Sequence, residues 1–121
     1  MIYLASPYTK YKYGIWPAYK EAARIAGLLT KQGYQVYSPI AHSHPLAVYG
    51  GIDPLDREIW KRVDAPFLVM CSECLVAMMD GWRESAGVTF EIAEFERAGK
   101  PVRYLDPATL QISDAVRSEA A

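Results

Sequence analysis

The chain has 121 residues, 51% of them hydrophobic, and its 13 basic and 14 acidic side chains leave a formal net charge of -1. This length fits one domain with a real core, so we treat residues 1–121 as a single unit. The charge balance argues against binding of a nucleic acid polymer, which would require a basic stripe. No apolar run approaches the roughly 18 residues of a membrane span, and the N-terminus lacks a signal-peptide pattern. We therefore expect a cytoplasmic protein with no membrane partner.

The two cysteines, Cys71 and Cys74, form an isolated Cys-x-x-Cys pair. A structural zinc site usually needs a second pair or two well-spaced histidines, and the sequence offers only His42 and His44. A thioredoxin-like motif would lead into a helix, whereas this pair leads into an apolar run. We expect two reduced thiols that pack as small hydrophobic side chains, and no metal.

The first third of the chain predicts a strand, a loop and a helix. Ile2–Ala5 is a short apolar run typical of a buried strand. Residues 6–16 form a loop rich in aromatic residues, Pro17 suits the first position of a helix, and Gly33 suits its end. The apolar residues of this helix recur at helical spacing: Ala22, Ile25, Ala26 and Leu29.

The middle of the chain predicts a second strand, a long loop and an interrupted helix. Residues 34–38 are the strand, and residues 39–52 are the loop, which contains both histidines and the pair Gly50-Gly51. Asp53 suits the N-cap of the next helix. Asp64-Ala65-Pro66 is expected to break that helix and to cap a short successor.

The last third predicts strand, loop, helix and strand in turn. Residues 75–79 are almost uniformly apolar, as expected of a strand covered on both faces. Residues 80–85 form a loop, residues 86–98 a helix that Gly99 stops, and residues 101–105 a fourth strand. Residues 107–121 read as a tail that frays.

Strands that alternate with helices predict an α/β fold. We expect an open parallel sheet of four to five strands with helices on both faces, a Rossmann-like or flavodoxin-like three-layer sandwich. Ligands of such sheets bind outside the carboxyl ends of the strands. The loops at residues 6–16, 39–52 and 80–85 leave from those ends, so we expect the binding site there.

Glu91 interrupts the amphipathic pattern of the last helix. At 100° per residue, Val88, Ile92 and Phe95 share one face, and Glu91 lies at the edge of that face. A carboxylate directed towards a sheet is costly to bury without a partner, and burial can raise its pKa and make it chemically useful. The alternative is an edge carboxylate that reaches water or pairs with an arginine.

The start of the same helix is a candidate anion site. Ser85 is a natural N-cap, and Gly87 leaves the first turn unobstructed. Free backbone amides and the helix dipole favour a phosphate or sugar hydroxyl there, about one turn from Glu91. An ordinary serine cap is the simpler interpretation.

Several motifs give the chain a family resemblance. Gly81-Trp82-x-x-Ser85-x-Gly87-x-x-x-Glu91 follows an apolar strand, and the chain starts with Tyr3-Leu4-Ala5-Ser6-Pro7-Tyr8. With these motifs the chain resembles the nucleoside 2-deoxyribosyltransferase superfamily over roughly residues 3–107. It is most similar to small bacterial and phage members of unknown function, which share the Ser-Pro-Ile-x-His-Ser-His-Pro segment at residues 38–45.

The resemblance implies roles for individual residues. In the transferases and nucleotide N-glycoside hydrolases of the superfamily, a glutamate on this helix is the nucleophile, and Glu91 matches it. In the hydrolases a serine six residues earlier contacts the 5′-phosphate, and Ser85 matches that serine. An upstream aspartate assists departure of the base. Asp64 matches it best, Asp56 is the second choice, and the simpler interpretation of Asp64 is a helix N-cap.

Further residues complete the implied substrate site. Tyr8 occupies the loop position that shapes the sugar and base pocket, and Trp82 either stacks on the base or plugs its loop against the sheet. His44 faces the pocket from a loop that the transferases do not share. The full set of implied substrate-binding residues is Tyr3, Ser6, Tyr8, His44, Asp56, Trp82, Ser85 and Gly87.

The implied reaction follows the two-carboxylate logic of retaining glycosidases. Glu91 attacks C1′ of a nucleoside or nucleotide, and Asp64, or a water that it holds, protonates the leaving base. Water or a second base then completes hydrolysis or transfer, and no cofactor is needed. The alternative is a non-catalytic nucleotide-binding sensor with the same fold.

We also expect a homo-oligomer, a dimer or a dimer of dimers. A small sheet and many aromatic residues in loops favour burial of surface against a partner, and related superfamily members assemble. The expected interface lies in residues 53–70, where Trp60, Val63 and Phe67 exceed what one helix face needs.

Overall fold

One sheet forms the centre of the protein in the computed structural model, which describes residues 1–115. Its strands run in the order β2-β1-β3-β4-β5; the first four are parallel, and β5 is antiparallel to β4. This confirms the predicted α/β fold with an open, mostly parallel sheet. The strands are β1 Ile2–Ala5, β2 Val36–Tyr37, β3 Glu73–Ala77, β4 Val102–Leu105 and β5 Ile112–Ser113.

Helices cover both faces of this sheet, which confirms the three layers. They are α1 Ile15–Lys31, α2 Pro39–Gly50, α3 Arg57–Met70 and α4 Ala86–Arg97. On one face, Ile25 and Leu29 of α1 pack against a core cluster that includes Leu4 and Leu75. On the other face, Val88 and Phe95 of α4 pack with Tyr3, Cys74 and Val76, and α3 adds Phe67 and Leu68 at the margin. None of these helices is long and apolar enough to cross a membrane.

The strand order creates a crevice at the carboxyl ends of β1 and β3. The chain leaves β1 towards β2 on one side and later returns to β3 on the other, and such a switch point is the usual ligand site of this sheet type. The loops after β1 and β3 touch each other here. Gly81 has φ +85°, and a Cβ atom at this position would lie 2.2 Å from the carbonyl oxygen of Lys10.

The prediction of a loop at residues 39–52 is wrong, because residues 39–50 form α2. Ser38 caps this helix by accepting a 3.1 Å hydrogen bond from the amide of Ala41, and Pro39 occupies the first turn. Gly51 ends it in a left-handed conformation with φ 67°. The pair Gly50-Gly51 lies at the C-terminal end of this helix, and good capping at both ends outweighs the one internal proline, Pro45.

The predicted break at Asp64-Ala65-Pro66 is also wrong. Helix α3 runs through Pro66 without interruption. Pro66 and Arg62, whose carbonyl loses its helical hydrogen bond, are both exposed, so water can satisfy that carbonyl. The N-cap of α3 is Asp56, whose side chain accepts from the amide of Glu58, whereas Asp53 accepts from Leu55 in the preceding turn. Asp64 therefore lies inside the helix and is not a cap.

Smaller differences concern the two ends of the chain. Helix α1 begins at Ile15, so Pro17 lies within the first turn and not at its first position. Strand β5 was not predicted, and its two residues pair with Tyr104 and Leu105 of β4. The tail predicted to fray comprises residues 107–121; residues 112–113 of it form β5 in the sheet, and residues 116–121 lie outside the described residues.

Candidate functional site

Glu91 extends from the second turn of α4 towards the sheet, where Tyr3 meets it. The hydroxyl of Tyr3 donates a 2.5 Å hydrogen bond to Glu91 Oε2. Tyr3 is fully buried in β1, whereas Glu91 is only partly buried and keeps some access to solvent. Glu91 is thus an inward-facing carboxylate that a buried phenol holds by a hydrogen bond, and among the described residues it does not form a surface ion pair with an arginine.

A second phenol and carboxylate lie beside the first. Tyr37 of β2 is the register partner of Tyr3 in the parallel pairing. Its hydroxyl donates a 2.8 Å hydrogen bond to Asp64 Oδ1 on α3. Its ring stacks on Phe67, one turn further along α3, with centroids 3.7 Å apart. Two adjacent strands therefore present two hydroxyl groups to two carboxylates on neighbouring helices.

The end of α3 is held by Lys100, which lies between α4 and β4. Lys100 Nζ donates hydrogen bonds to the carbonyl oxygens of Leu68, Val69 and Cys71. These groups are the free acceptors at the C-terminus of α3, where a cation is also favoured by the helix dipole. The contact positions α3, and with it Asp64, relative to α4.

Burial changes the protonation of both carboxylates. The pKa of Glu91 is raised to about 8: desolvation raises it most, the Tyr3 hydrogen bond lowers it, and the negative charge of Asp64 raises it. Desolvation also raises the pKa of Asp64, whereas the Tyr37 hydrogen bond and nearby His42 lower it. Burial raises the pKa of Tyr3 and Tyr37, so both phenols stay protonated and act as donors. Two interacting carboxyl groups of this kind carry one proton between their pKa values.

The start of α4 has the expected capped geometry. Ser85 is buried, and its Oγ accepts a 3.2 Å hydrogen bond from the amide of Val88. The amides of Ala86 and Gly87 have no carbonyl partner within the helix, because they belong to its first turn. A Cβ atom on Gly87 would find Ser85 Oγ at 3.8 Å as its nearest neighbour, so the space above this turn is open.

The loop after β1 brings Tyr8 to His44 of α2. Tyr8 Oη and His44 Nδ1 are 2.6 Å apart and share a hydrogen bond. Within residues 1–115, two buried side-chain polar atoms have no hydrogen-bond partner, His44 Nε2 and Ser6 Oγ. Ser6 directly follows β1, and His44 lies in α2, which follows β2.

The other implied residues have clear structural surroundings. The ring of Trp82 packs against Tyr104 of β4 at 5.8 Å and lies under the guanidinium of Arg83, which favours its interpretation as a plug of the loop. Asp56, the second choice for the assisting aspartate, caps α3 two turns before Asp64. Cys71 and Cys74 are free thiols in the core, and burial raises the pKa of both.

Two depressions open near the loop after β3. One, of about 280 Å³, is lined by residues 78–84, and the other, of about 270 Å³, lies between Tyr11, Arg24 and Pro107. Neither depression is lined by Glu91 or Asp64. The candidate site is therefore defined by these two carboxyl groups with raised pKa values and not by the depressions. In the described part of the chain, no three His, Cys, Asp or Glu side chains are grouped to hold a metal ion.

Tyr37 is the site residue that sequence reasoning missed. It was assigned only to a strand, and its role required knowing that β2 pairs with β1 in the register that aligns it with Tyr3. The aromatic partners of His44, Trp16 and Tyr19, were missed for a similar reason. The available signal was the alternation of side chains along the strands, which places Tyr3 and Tyr37 on the face covered by α4.

A comparison with protein families gives a match over most of the chain. Residues 1–106 fit the family model described as "Domain of unknown function (DUF1937)". No curated protein matches the chain.

Proposed function

The chain belongs to the DUF1937 family, whose description names no activity, and we propose that it cleaves or transfers the N-glycosidic bond of a nucleoside or nucleotide. The observation that carries this proposal is the Tyr3–Glu91 contact beside Asp64. The proposal also places the family within the nucleoside 2-deoxyribosyltransferase superfamily, on the motifs quoted above.

The pair of carboxylates suits a displacement at an anomeric carbon. We assign the nucleophile to Glu91, which attacks C1′ and forms a glycosyl ester as the bond to the base breaks. Tyr3 supports this role, because its hydrogen bond favours the ionised form of Glu91. Attack requires that the one proton of the pair lie on Asp64.

Asp64 then supplies the proton that the departing base needs. Its raised pKa makes it a stronger candidate for this role than an exposed aspartate. Water, or a second base, next attacks C1′ of the ester while Asp64, now a carboxylate, accepts its proton, and Glu91 is released as a carboxylate. The formation and the breakdown of the glycosyl ester both use side chains of the protein itself, without a cofactor.

The start of α4 is the proposed phosphate subsite. Amides of the first turn, the helix dipole and the hydroxyl of Ser85 lie about one and a half turns from Glu91, a spacing that fits C1′ and the 5′-phosphate of one nucleotide. This arrangement favours a monophosphate substrate and hydrolysis over a nucleoside and transfer.

We further propose that two copies of the chain assemble through the α3 region. In the chain as described over residues 1–115, no side chain of α3 is fully buried, and Val69 and Met70 are 79% and 57% exposed. Phe90 of α4 is 43% exposed as well, and Lys61 of α3 lies above its ring. Light scattering over a dilution series tests the proposal; a single species at the monomer mass of 13.6 kDa at high concentration contradicts it.

The activity is tested by incubation of the protein with a panel of nucleosides and nucleoside monophosphates, with chromatography for free base. Release of base supports the proposed function. Binding of a nucleotide without release of base instead identifies a sensor with the same fold and contradicts the enzyme assignment.

A further inference from the structure

His44 lies in an aromatic cage that the proposed chemistry does not use. Its side chain is 2% exposed. Tyr19 stacks on the imidazole ring at 4.4 Å, and Trp16 meets it edge-on at 4.5 Å. Tyr8 closes the third side, with ring centroids 5.8 Å apart. This packing holds the orientation of the imidazole, and therefore the hydrogen bond between its Nδ1 and the Tyr8 hydroxyl.

A count of hydrogens shows that the Tyr8–His44 pair has one donor to spare. Burial lowers the pKa of His44 and raises that of Tyr8, so at neutral pH His44 carries one N–H and Tyr8 keeps its O–H. Only one of these two hydrogens lies in the shared 2.6 Å bond. The other must point elsewhere, either from His44 Nε2 or from the Tyr8 hydroxyl.

The surroundings of the two atoms favour the hydroxyl. If Tyr8 donates to Nδ1, the spare hydrogen is on Nε2, which is buried and has no partner among residues 1–115. If Nδ1–H donates to Tyr8, Nε2 becomes an unpaired acceptor, and the spare hydrogen is on a hydroxyl whose residue is only partly buried. Buried donors without partners are rarer than unpaired acceptors, so the second arrangement is preferred.

The position of Tyr8 decides which part of a ligand it meets. Ser85 follows β3, Glu91 contacts β1, and Tyr8 follows β1 on the side where α2 leaves β2. A nucleotide with its phosphate at the start of α4 and C1′ at Glu91 directs its base towards β2 and α2. The base therefore extends towards Tyr8.

We propose that His44 holds Tyr8 as a hydrogen-bond donor to the nucleobase, so that the pair selects bases with a carbonyl oxygen at that edge over bases with an amino group. His44 is a positioning residue here, and Tyr8 is the residue that contacts the base. The inference rests on the proposed function, since it takes the orientation of the nucleotide from it.

Calorimetry with the inactive Glu91→Gln protein tests this, because binding is then measured without turnover. The ligands are two matched pairs that differ in a carbonyl or amino group, dUMP with dCMP and dIMP with dAMP. We expect tighter binding of the carbonyl member of at least one pair. Tyr8→Phe should weaken that member about 3- to 10-fold, the worth of one neutral hydrogen bond, and leave the amino member unchanged. His44→Phe, which keeps an aromatic ring in the cage, should change the ratio in the same direction, and Tyr13→Phe on the same loop should not.

The nitrogen chemical shifts of the His44 ring by NMR report its tautomer in the wild-type protein, whether or not the His44 variant folds. A hydrogen on Nδ1 supports the proposal, and a hydrogen on Nε2 overturns it. An unchanged carbonyl-to-amino ratio in Tyr8→Phe also overturns it, and leaves the proposed function intact if base is still released. Failure of all four nucleotides to bind, with no base released by the wild type, overturns both.

Discussion

The hydroxyl of Tyr3 donates to Glu91 Oε2 across 88 residues of sequence and joins the first strand to the last helix. The contact links stability and chemistry, because it places a carboxyl group with a pKa of about 8 inside the layer between sheet and helix. A protein that needed only a well-packed core would gain by an apolar residue at this position. The following predictions test what the Glu91 carboxyl does.

Glu91 should make the protein less stable as the pH rises. Its folded pKa of about 8 lies above the ordinary value of 4.5, so the folded state holds a proton that the unfolded state has lost between these pH values. The free energy of unfolding should therefore fall between about pH 5 and pH 8, on the order of a few kcal/mol. Urea unfolding across this range measures it.

Glu91→Gln should remove most of that dependence, because the amide stays neutral and can still accept from Tyr3. Asp64 contributes with the same sign, so a smaller slope remains. Glu96→Gln, an exposed change on the same helix, is the control and should follow the wild type. Equal slopes in all three proteins would show that Glu91 is ionised in the folded state.

Tyr3→Phe should shift the pH dependence of catalysis upwards. The reaction needs one proton on the pair, held by Asp64 while Glu91 is ionised, so kcat/KM in the wild type should fall as the pH rises through about 8, where the pair loses that proton. Loss of the Tyr3 hydroxyl removes the hydrogen bond that lowers the pKa of Glu91, so the fall should move to higher pH by roughly one unit. Tyr37→Phe serves as the matched variant and should move it less. A rate that instead rises through pH 8 would show that the reaction does not need a proton on the pair.

Gly81→Ala should be severely destabilising. The new Cβ would collide with the carbonyl oxygen of Lys10, and φ +85° is strained for alanine, so we expect a loss of about 2–4 kcal/mol. Gly87→Ala meets open space in the first turn of α4 and should change stability by less than about 1 kcal/mol. Thermal and urea unfolding measure the stability of the two variants. Similar losses in both would mean that the loop containing Gly81 does not contact the loop containing Lys10.

Ser85→Ala should separate monophosphates from nucleosides. Loss of the cap should cost about 1 kcal/mol of stability. If the start of α4 holds the phosphate, KM for a nucleoside monophosphate should rise about tenfold, whereas KM for the nucleoside should not change. A crystal soaked with a nucleoside monophosphate gives an independent answer, and a phosphate located at residues 6–10 would disprove this subsite.

The fold was predictable because its four parallel strands and two of its helices have strong local patterns. Ile2–Ala5 and the run at residues 75–79 are short and apolar, and α1 and α4 have clear apolar faces. Helices α2 and α3 were harder, since each contains an internal proline whose cost depends on whether the freed carbonyl reaches water. That information lies in the tertiary structure and not in the local sequence.

The candidate site was predictable only in part. Glu91 could be recognised because it disturbs a helical pattern, and Ser85 because caps have a local signature. Tyr37 and the cage around His44 could not, because their partners are brought together by strand register and by a helix that was predicted as a loop. Contacts between distant segments leave no local trace in one sequence.

The rate of base release by Glu91→Gln is the most direct test of the central claim. The substrate is whichever nucleoside or nucleotide the wild type cleaves fastest, and Glu96→Gln is the matched control. A nucleophile that cannot ionise should reduce the rate by about 10³-fold or more, whereas the control should remain at the wild-type rate. Wild-type rates in Glu91→Gln, with the fold intact by circular dichroism, would contradict the account.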